Sequence, residues 1–276
     1  MDTIQALWMG VIQGLTEYLP VSSSGHLVIG REILGIDLQG ADQLQFSVAL
    51  HVATVLSTIV VLWREFKPLC ASFFTFKSDD NSRYVWKILF SCLPVMVVGL
   101  FFKDAIEEFF GEGLLVVGIC LLITAALLGF AYFTTTRPEL MSKHSGRALK
   151  RGRNITFADA FIIGIAQAIA VLPGLSRSGS TIATGIIIGD NREKVARFSF
   201  FMVIIPILGE ALLDIKEMIT EGVNESIGII PLVTGFLASF IVGCFACKWM
   251  LSIVRKGRMV WFAIYCLAVG LVCIFW

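Results

Sequence analysis

The fold class read from the sequence is an all-α integral membrane protein, with six transmembrane helices and two re-entrant helical hairpins in an inverted-topology repeat. Three observations carry that reading. Hydrophobic residues fill 57% of the 276 positions and charged residues only 16%, where a soluble domain carries about a quarter. The loops alternate in charge sign. A polar cluster, "QGLTEYLPVSSSGHL" from Gln13 to Leu27, interrupts sequence that otherwise reads as membrane. The net charge of +1 gives no electrostatic footprint for nucleic acid, and no secretory signal peptide is evident.

Taken in order, the first element is a stretch from Thr3 to Leu34, broken in its middle by Pro and Gly. It is too short for two full spans and a turn, so it reads as a half-helix in, an irregular tip and a half-helix out. Apolar runs follow at Gln45–Trp63, Val85–Phe102 and Leu114–Phe133, each near the ~20 residues that cross the hydrocarbon. A second broken stretch, Phe157–Gly189, is followed by runs at Val195–Leu213, Ile227–Trp249 and Val260–Trp276. Arg64, Lys67, Lys77 and Arg83 flank one connection, Arg137, Lys143, Arg147, Lys150, Arg151 and Arg153 another, and Lys248, Arg255, Lys256 and Arg258 a third. The alternate loops carry Asp104, Glu107, Glu108 and Glu112, and Asp214, Glu217, Glu221 and Glu225. The positive-inside rule assigns the basic loops to the cytoplasm.

Sliding the chain on itself by 154 positions brings Ala6 to Ala160, Gly10 to Gly164, Gln13 to Gln167, Ser22 to Ser176, Ser24 to Ser178, Gly25 to Gly179 and Gly35 to Gly189. A two-residue slip then pairs Phe46-Ser47 with Phe198-Ser199. The expected organisation is a single membrane domain over 1–276, built of repeats at about 1–135 and 155–276 and joined by a basic cytoplasmic loop, 136–154. Three spans per unit is odd, so the second copy is inverted and the two hairpin tips meet near the middle of the bilayer.

The second tip is "LPGLSRSGST", Leu172 to Thr181. Together the tips present Gln13, Glu17, His26, Arg177 and a set of hydroxyls. Gln13 and Glu17 are four apart on one helix face, a pair of oxygen ligands suited to Mg²⁺ or Ca²⁺. In the first tip Ser22, Ser24 and Gly25, and in the second Gly174, Ser176, Ser178, Gly179 and Thr181, stand where serine caps and open helix N-termini favour an anion. Arg177 is a planar fork for phosphate oxygens. A cation, an arginine and two helix N-termini are parts a diphosphate needs. Plainer readings stand beside these: a Glu17–Arg177 ion pair joining the repeats, His26 as a packing residue, and serines as caps alone. His51 reads as packing near the site, and Glu210 as interfacial. The seven cysteines read as small buried hydrophobes, since the CxxC of Cys244 and Cys247 has no second pair to complete a metal site.

At these residues the sequence resembles the undecaprenyl pyrophosphate phosphatase family, also called BacA or UppP. The resemblance rests on an (E/Q)xxxE element, here Gln13 to Glu17, on the "LPVSSSGH" after it, and on "PGLSRSG", here Pro173 to Gly179. It covers essentially the whole chain. It implies hydrolysis of undecaprenyl diphosphate to undecaprenyl phosphate and inorganic phosphate, recycling the lipid carrier for peptidoglycan and other envelope polymers. It also implies a divalent cation, a multi-pass protein of the bacterial cytoplasmic membrane with a site opening to the outer face, and bacitracin resistance when abundant. Glu17, Ser23, His26 and Arg177 are the functional core it implies. The nucleophile is read as the Ser23 hydroxyl with His26 taking its proton, the His26 imidazole and a bound water being the alternatives. Gln13 leaves Glu17 the one carboxylate of its element. The type-2 phosphatidic acid phosphatases share similar-looking motifs, but they need a downstream histidine and this chain has none after His144. A polyprenyl-phosphate transporter or flippase on the same repeat is the alternative from another class. A homodimer is one assembly left open.

Overall fold

A computed structural model describes residues 1–38, 40–75, 78–102, 113–145, 152–221 and 227–276. Among them the secondary structure is helical apart from one isolated bridge between Arg153 and Asp190. Helices α1 (Thr3–Thr16) and α2 (Ser23–Leu34) form the first hairpin, followed by α3 (Gly40–Val61), α4 (Trp63–Phe74), α5 (Asp80–Phe101) and α6 (Leu114–Ser145). Helices α7 (Phe157–Ile169) and α8 (Arg177–Ile187) form the second hairpin, followed by α9 (Arg192–Met202), α10 (Ile204–Glu221), α11 (Ile229–Arg255) and α12 (Val260–Phe275).

Among the described residues five segments are long and apolar enough to cross a membrane: Asp42–Val61, Asp80–Phe101, Leu114–Thr134, Arg192–Lys216 and Ile229–Arg255. Large apolar side chains stand outward on them, among them Leu100, Leu212 and Phe245, 67–72% exposed. Such a surface suits hydrocarbon rather than water, and the protein is an integral membrane protein. Two sequence readings need amendment. The run Val260–Trp276 forms a helix of 16 residues, which at 1.5 Å per residue falls short of a ~30 Å hydrocarbon core. The run Val195–Leu213 is two helices that meet at Val203. Pro206 explains the break, because its ring clashes with the carbonyl four residues back. That carbonyl, on Met202, instead receives the Cys92 thiol at 3.5 Å.

Two further features escaped the sequence reading. Trp63–Phe74 is a helix rather than a plain loop. The basic connection 136–154 begins as helix, since α6 runs on to Ser145. Lys77, Arg147, Lys150, Arg151 and Glu225, and the acidic group Asp104, Glu107, Glu108 and Glu112, lie outside the described residues.

Each hairpin opens with a capping box, Asp2 for α1 and Thr156 for α7. Each closes on a left-handed glycine, Gly35 at φ 60° and Gly189 at φ 98°. Their first helices pack across the molecule, α1 along α11 and α7 along α5. Both crossings are close because small residues sit at them. A Cβ on Gly10 would lie 2.3 Å from the Gly235 carbonyl oxygen, and one on Gly164 2.2 Å from that of Ser91. Helices α6 and α12 cross in the same manner at Gly118 and Gly270.

Candidate active site where the hairpin tips meet

The chain leaves α1 at Glu17, turns through Tyr18 to Val21, and starts α2 at Ser23. Ser22 caps α2, its Oγ accepting from the Gly25 N–H at 3.2 Å. It does so at φ 69°, the one non-glycine with positive φ among the described residues. Such a conformation costs about 1–3 kcal/mol and collects at functional sites. The second tip is built alike. Ser176 caps α8 by accepting from the Gly179 N–H at 3.0 Å, and Gly174 turns the chain at φ 86°. Ser22 and Ser24 hydroxyls lie 3.3 Å apart, those of Ser176 and Ser178 3.4 Å apart.

The tips touch. Ser178 Oγ donates to the Leu19 carbonyl at 3.0 Å. A Cβ on Gly25 would lie 3.1 Å from the Gly174 Cα, and one on Gly179 3.3 Å from the Pro20 Cβ. At Gly25 backbone meets backbone, which leaves no room for a side chain.

Glu17 is the centre of this contact. Its side chain is 5% exposed. Oε1 accepts from Arg177 Nη2 at 2.6 Å, and Oε2 accepts from Gln13 Nε2 and from Ser23 Oγ, each at 2.9 Å. Arg177, 24% exposed, is the more open partner. Ser23 is therefore paired with Glu17 rather than with His26. His26 is occupied elsewhere: Nδ1 lies 2.8 Å from the Ser22 carbonyl oxygen and Nε2 2.8 Å from the Tyr265 hydroxyl. Thr181 also turns away. Its hydroxyl is buried, donating to the Arg177 carbonyl at 2.8 Å and meeting Ser199 Oγ at 2.6 Å.

A cleft opens beside the Glu17–Arg177 pair, walled by Tyr18, Thr54, Thr58, Ser178 and Ser199. Beneath it the buried Tyr18 hydroxyl donates to the Thr54 carbonyl at 2.6 Å and meets Thr58 Oγ1 at 2.8 Å. His51 stands one turn before Thr54 on α3, with Nδ1 donating to the Ser47 carbonyl at 2.9 Å. None of Tyr18, Thr54, Ser199 or Tyr265 was singled out from the sequence. Tyr265 lies in an apolar run with no motif around it, and only the fold sets it against His26.

A resident divalent cation fits this donor set poorly. Among the described residues no three His, Cys, Asp or Glu side chains come together in a group that could hold a metal ion. Glu17 already accepts from three donors, one of them cationic. The one spare oxygen is Gln13 Oε1, buried and without a hydrogen-bond partner. One carboxylate and one amide oxygen fall well short of the six or more oxygens Mg²⁺ or Ca²⁺ takes.

Residues 6–272 match the family model described as bacitracin resistance protein BacA. A protein of Bacteroides fragilis (strain YCH46) named undecaprenyl-diphosphatase is 54% identical over 275 residues, covering 99% of this chain and 98% of that one. Proteins of the same name from Bacteroides thetaiotaomicron and Carboxydothermus hydrogenoformans are 53% and 38% identical, each over 98% of this chain and over 97% and 95% of theirs.

Proposed function

Since the chain belongs to the bacitracin resistance protein BacA family, we propose that it is an undecaprenyl-diphosphatase whose reaction is run by the Glu17 cluster. The enzyme hydrolyses undecaprenyl diphosphate to undecaprenyl phosphate and inorganic phosphate. The observation that carries the site is the hydrogen bond from Ser23 Oγ to Glu17 Oε2.

Serine alone is a weak nucleophile at neutral pH and needs a base within hydrogen-bond reach. Glu17 supplies it. The incoming diphosphate competes for Arg177, the more exposed member of the ion pair, and leaves the carboxylate facing Ser23. Ser23 Oγ then attacks the terminal phosphorus and its proton passes to Glu17. The bond from that phosphorus to the bridging oxygen breaks, and undecaprenyl phosphate departs as an anion. Water next attacks the phosphoserine, releasing inorganic phosphate, while Ser23 recovers its proton from Glu17. Arg177 and the N–H groups at the starts of α2 and α8 neutralise charge on the phosphoryl oxygens. The remaining hydroxyls and glycines of the tips, apart from Thr181, shape the cradle.

A divalent cation, Mg²⁺ or Ca²⁺, belongs to this reading as a companion of the diphosphate rather than a resident of the protein. Phosphate oxygens would be most of its ligands, with Gln13 Oε1 and Glu17 the protein oxygens on offer. It would neutralise phosphate charge. The finer architecture is part of the same proposal: two inverted repeats with re-entrant hairpins, in the bacterial cytoplasmic membrane, with the site open to the outer face. The matched caps, the matched glycine crossings and the meeting of the tips support it. The Ser23–Glu17 bond favours hydrolysis over a transporter, because recognition alone needs no nucleophile paired with a base.

Purified protein in detergent should release inorganic phosphate from undecaprenyl diphosphate, and Ser23→Ala should bring turnover close to background. A Ser23→Ala enzyme that keeps a large share of its rate would exclude the serine route in favour of attack by water. A wild-type protein releasing no phosphate would overturn the enzyme reading itself.

A further inference from the structure

His26 is held at both ring nitrogens, and its two partners differ in kind. A carbonyl oxygen only accepts, so the 2.8 Å contact to Ser22 puts a hydrogen on Nδ1. In the neutral imidazole Nε2 then has a lone pair, and the Tyr265 hydroxyl 2.8 Å away is its donor. The two rings also stack, with centroids 5.6 Å apart and planes 16° from parallel. Tyr265 comes from α12, 239 residues further along the chain. It is 44% exposed, in the same apolar turn as Ile264 at 53% and Trp261 at 67%. His26 is thus pinned between the cap of its own helix and a tyrosine on the lipid-facing surface.

We propose that Tyr265 is a positioning residue for the hydrolysis, holding the His26 ring so that Nδ1 carries the proton and Nε2 accepts from the tyrosine hydroxyl. Without that hydroxyl Nε2 loses its partner while the Nδ1 bond to Ser22 and the stacked ring remain. The proton can then shift to Nε2, and the tautomer of the ring beside Ser23 is no longer fixed. This rests on the reading of the hairpin tips as a phosphatase site, and takes His26, on the opening turn of α2 with Ser23, as part of it.

The test is a double-mutant cycle on purified protein with undecaprenyl diphosphate. Tyr265→Phe keeps the stacked ring and removes only the hydroxyl. It should lower kcat about tenfold, the scale of one lost hydrogen bond, and leave KM within about twofold. His26→Gln should cost more, and adding Tyr265→Phe to it should cost nothing further. Independently of turnover, ¹⁵N spectra of labelled histidine should report His26 as a single Nδ1–H tautomer in the wild type and as a mixture in Tyr265→Phe. Unchanged turnover in Tyr265→Phe, or a loss that multiplies in full onto that of His26→Gln, would overturn the positioning role while leaving the phosphatase reading intact. If His26→Gln itself turns over like the wild type, His26 takes no part in the hydrolysis and the role of Tyr265 fails, while the Ser23–Glu17 reading stands.

Discussion

In the proposed mechanism Glu17 is the side chain on which the chemistry converges. Three donors converge on it: an amide from its own helix, the Ser23 hydroxyl from the next helix, and the Arg177 guanidinium from the other hairpin. Glu17→Gln keeps the shape but loses both the base and the ion pair. Phosphate release should fall about a hundredfold or more, the range for a lost general base. Wild-type activity in that variant would remove Glu17 from the mechanism. Arg177→Lys keeps a positive charge and loses the planar fork. We expect kcat/KM to fall roughly tenfold to a hundredfold, the value of a hydrogen bond to a charged group, and near-wild-type turnover would count against the clamp. The cation reading has its own check, since chelator should abolish wild-type phosphate release and added Mg²⁺ or Ca²⁺ should restore it. Full activity in chelator would leave the diphosphate bound by protein alone.

At the scale of elements, the first helix of each hairpin is seated by a close helix crossing. Gly164 lies against a backbone carbonyl that cannot swing aside as a side chain could. Gly164→Ala should therefore destabilise by about 1–3 kcal/mol, seen as a lower thermal midpoint in detergent, and an unchanged midpoint would mean that α5 and α7 can part without cost. At the end of the second hairpin, Asp190 is buried against Asp159 and Arg153, with Arg153 Nε 3.4 Å from one oxygen. Burial first, and the nearby Asp159 second, push its carboxyl up to about 6. A raised carboxyl favours the folded state while it is protonated, so this contribution is lost as pH rises from about 4 toward 6. Asp190→Asn should raise the thermal midpoint relative to wild type at pH 8, and the difference should shrink as pH falls from 6 and vanish below about pH 4. The same gap at both ends of that range would mean that the charge is not what matters there.

For the whole molecule the proposed inverted arrangement makes a sharp statement about sidedness. A cysteine introduced near Glu108 should react with an impermeant thiol reagent from outside, and one near Lys150 only from inside. The reverse pattern would overturn the arrangement built on loop charge. The sequence by itself determined much of this protein. Hydropathy marked the membrane helices, because a lipid-facing helix must be apolar along ~20 residues. Pro and Gly marked both hairpin breaks, and the offset of 154 linked Ser22 to Ser176 and Gly35 to Gly189, pairs that do the same local work as caps and left-handed turns. Local chemistry of this kind is written in neighbouring residues. The partners were not. Nothing near Ser23 says that its hydroxyl turns to Glu17 and not to His26, three residues on in the same turn. Nothing near Tyr265 says that it meets His26. Those choices depend on where α12 lies against α6 and on how the two tips interlock, which is settled by packing between segments far apart in the chain. A period or a motif carries no record of such long-range contacts, and so the residues that could do the chemistry were legible while their pairing was decided by the tertiary structure.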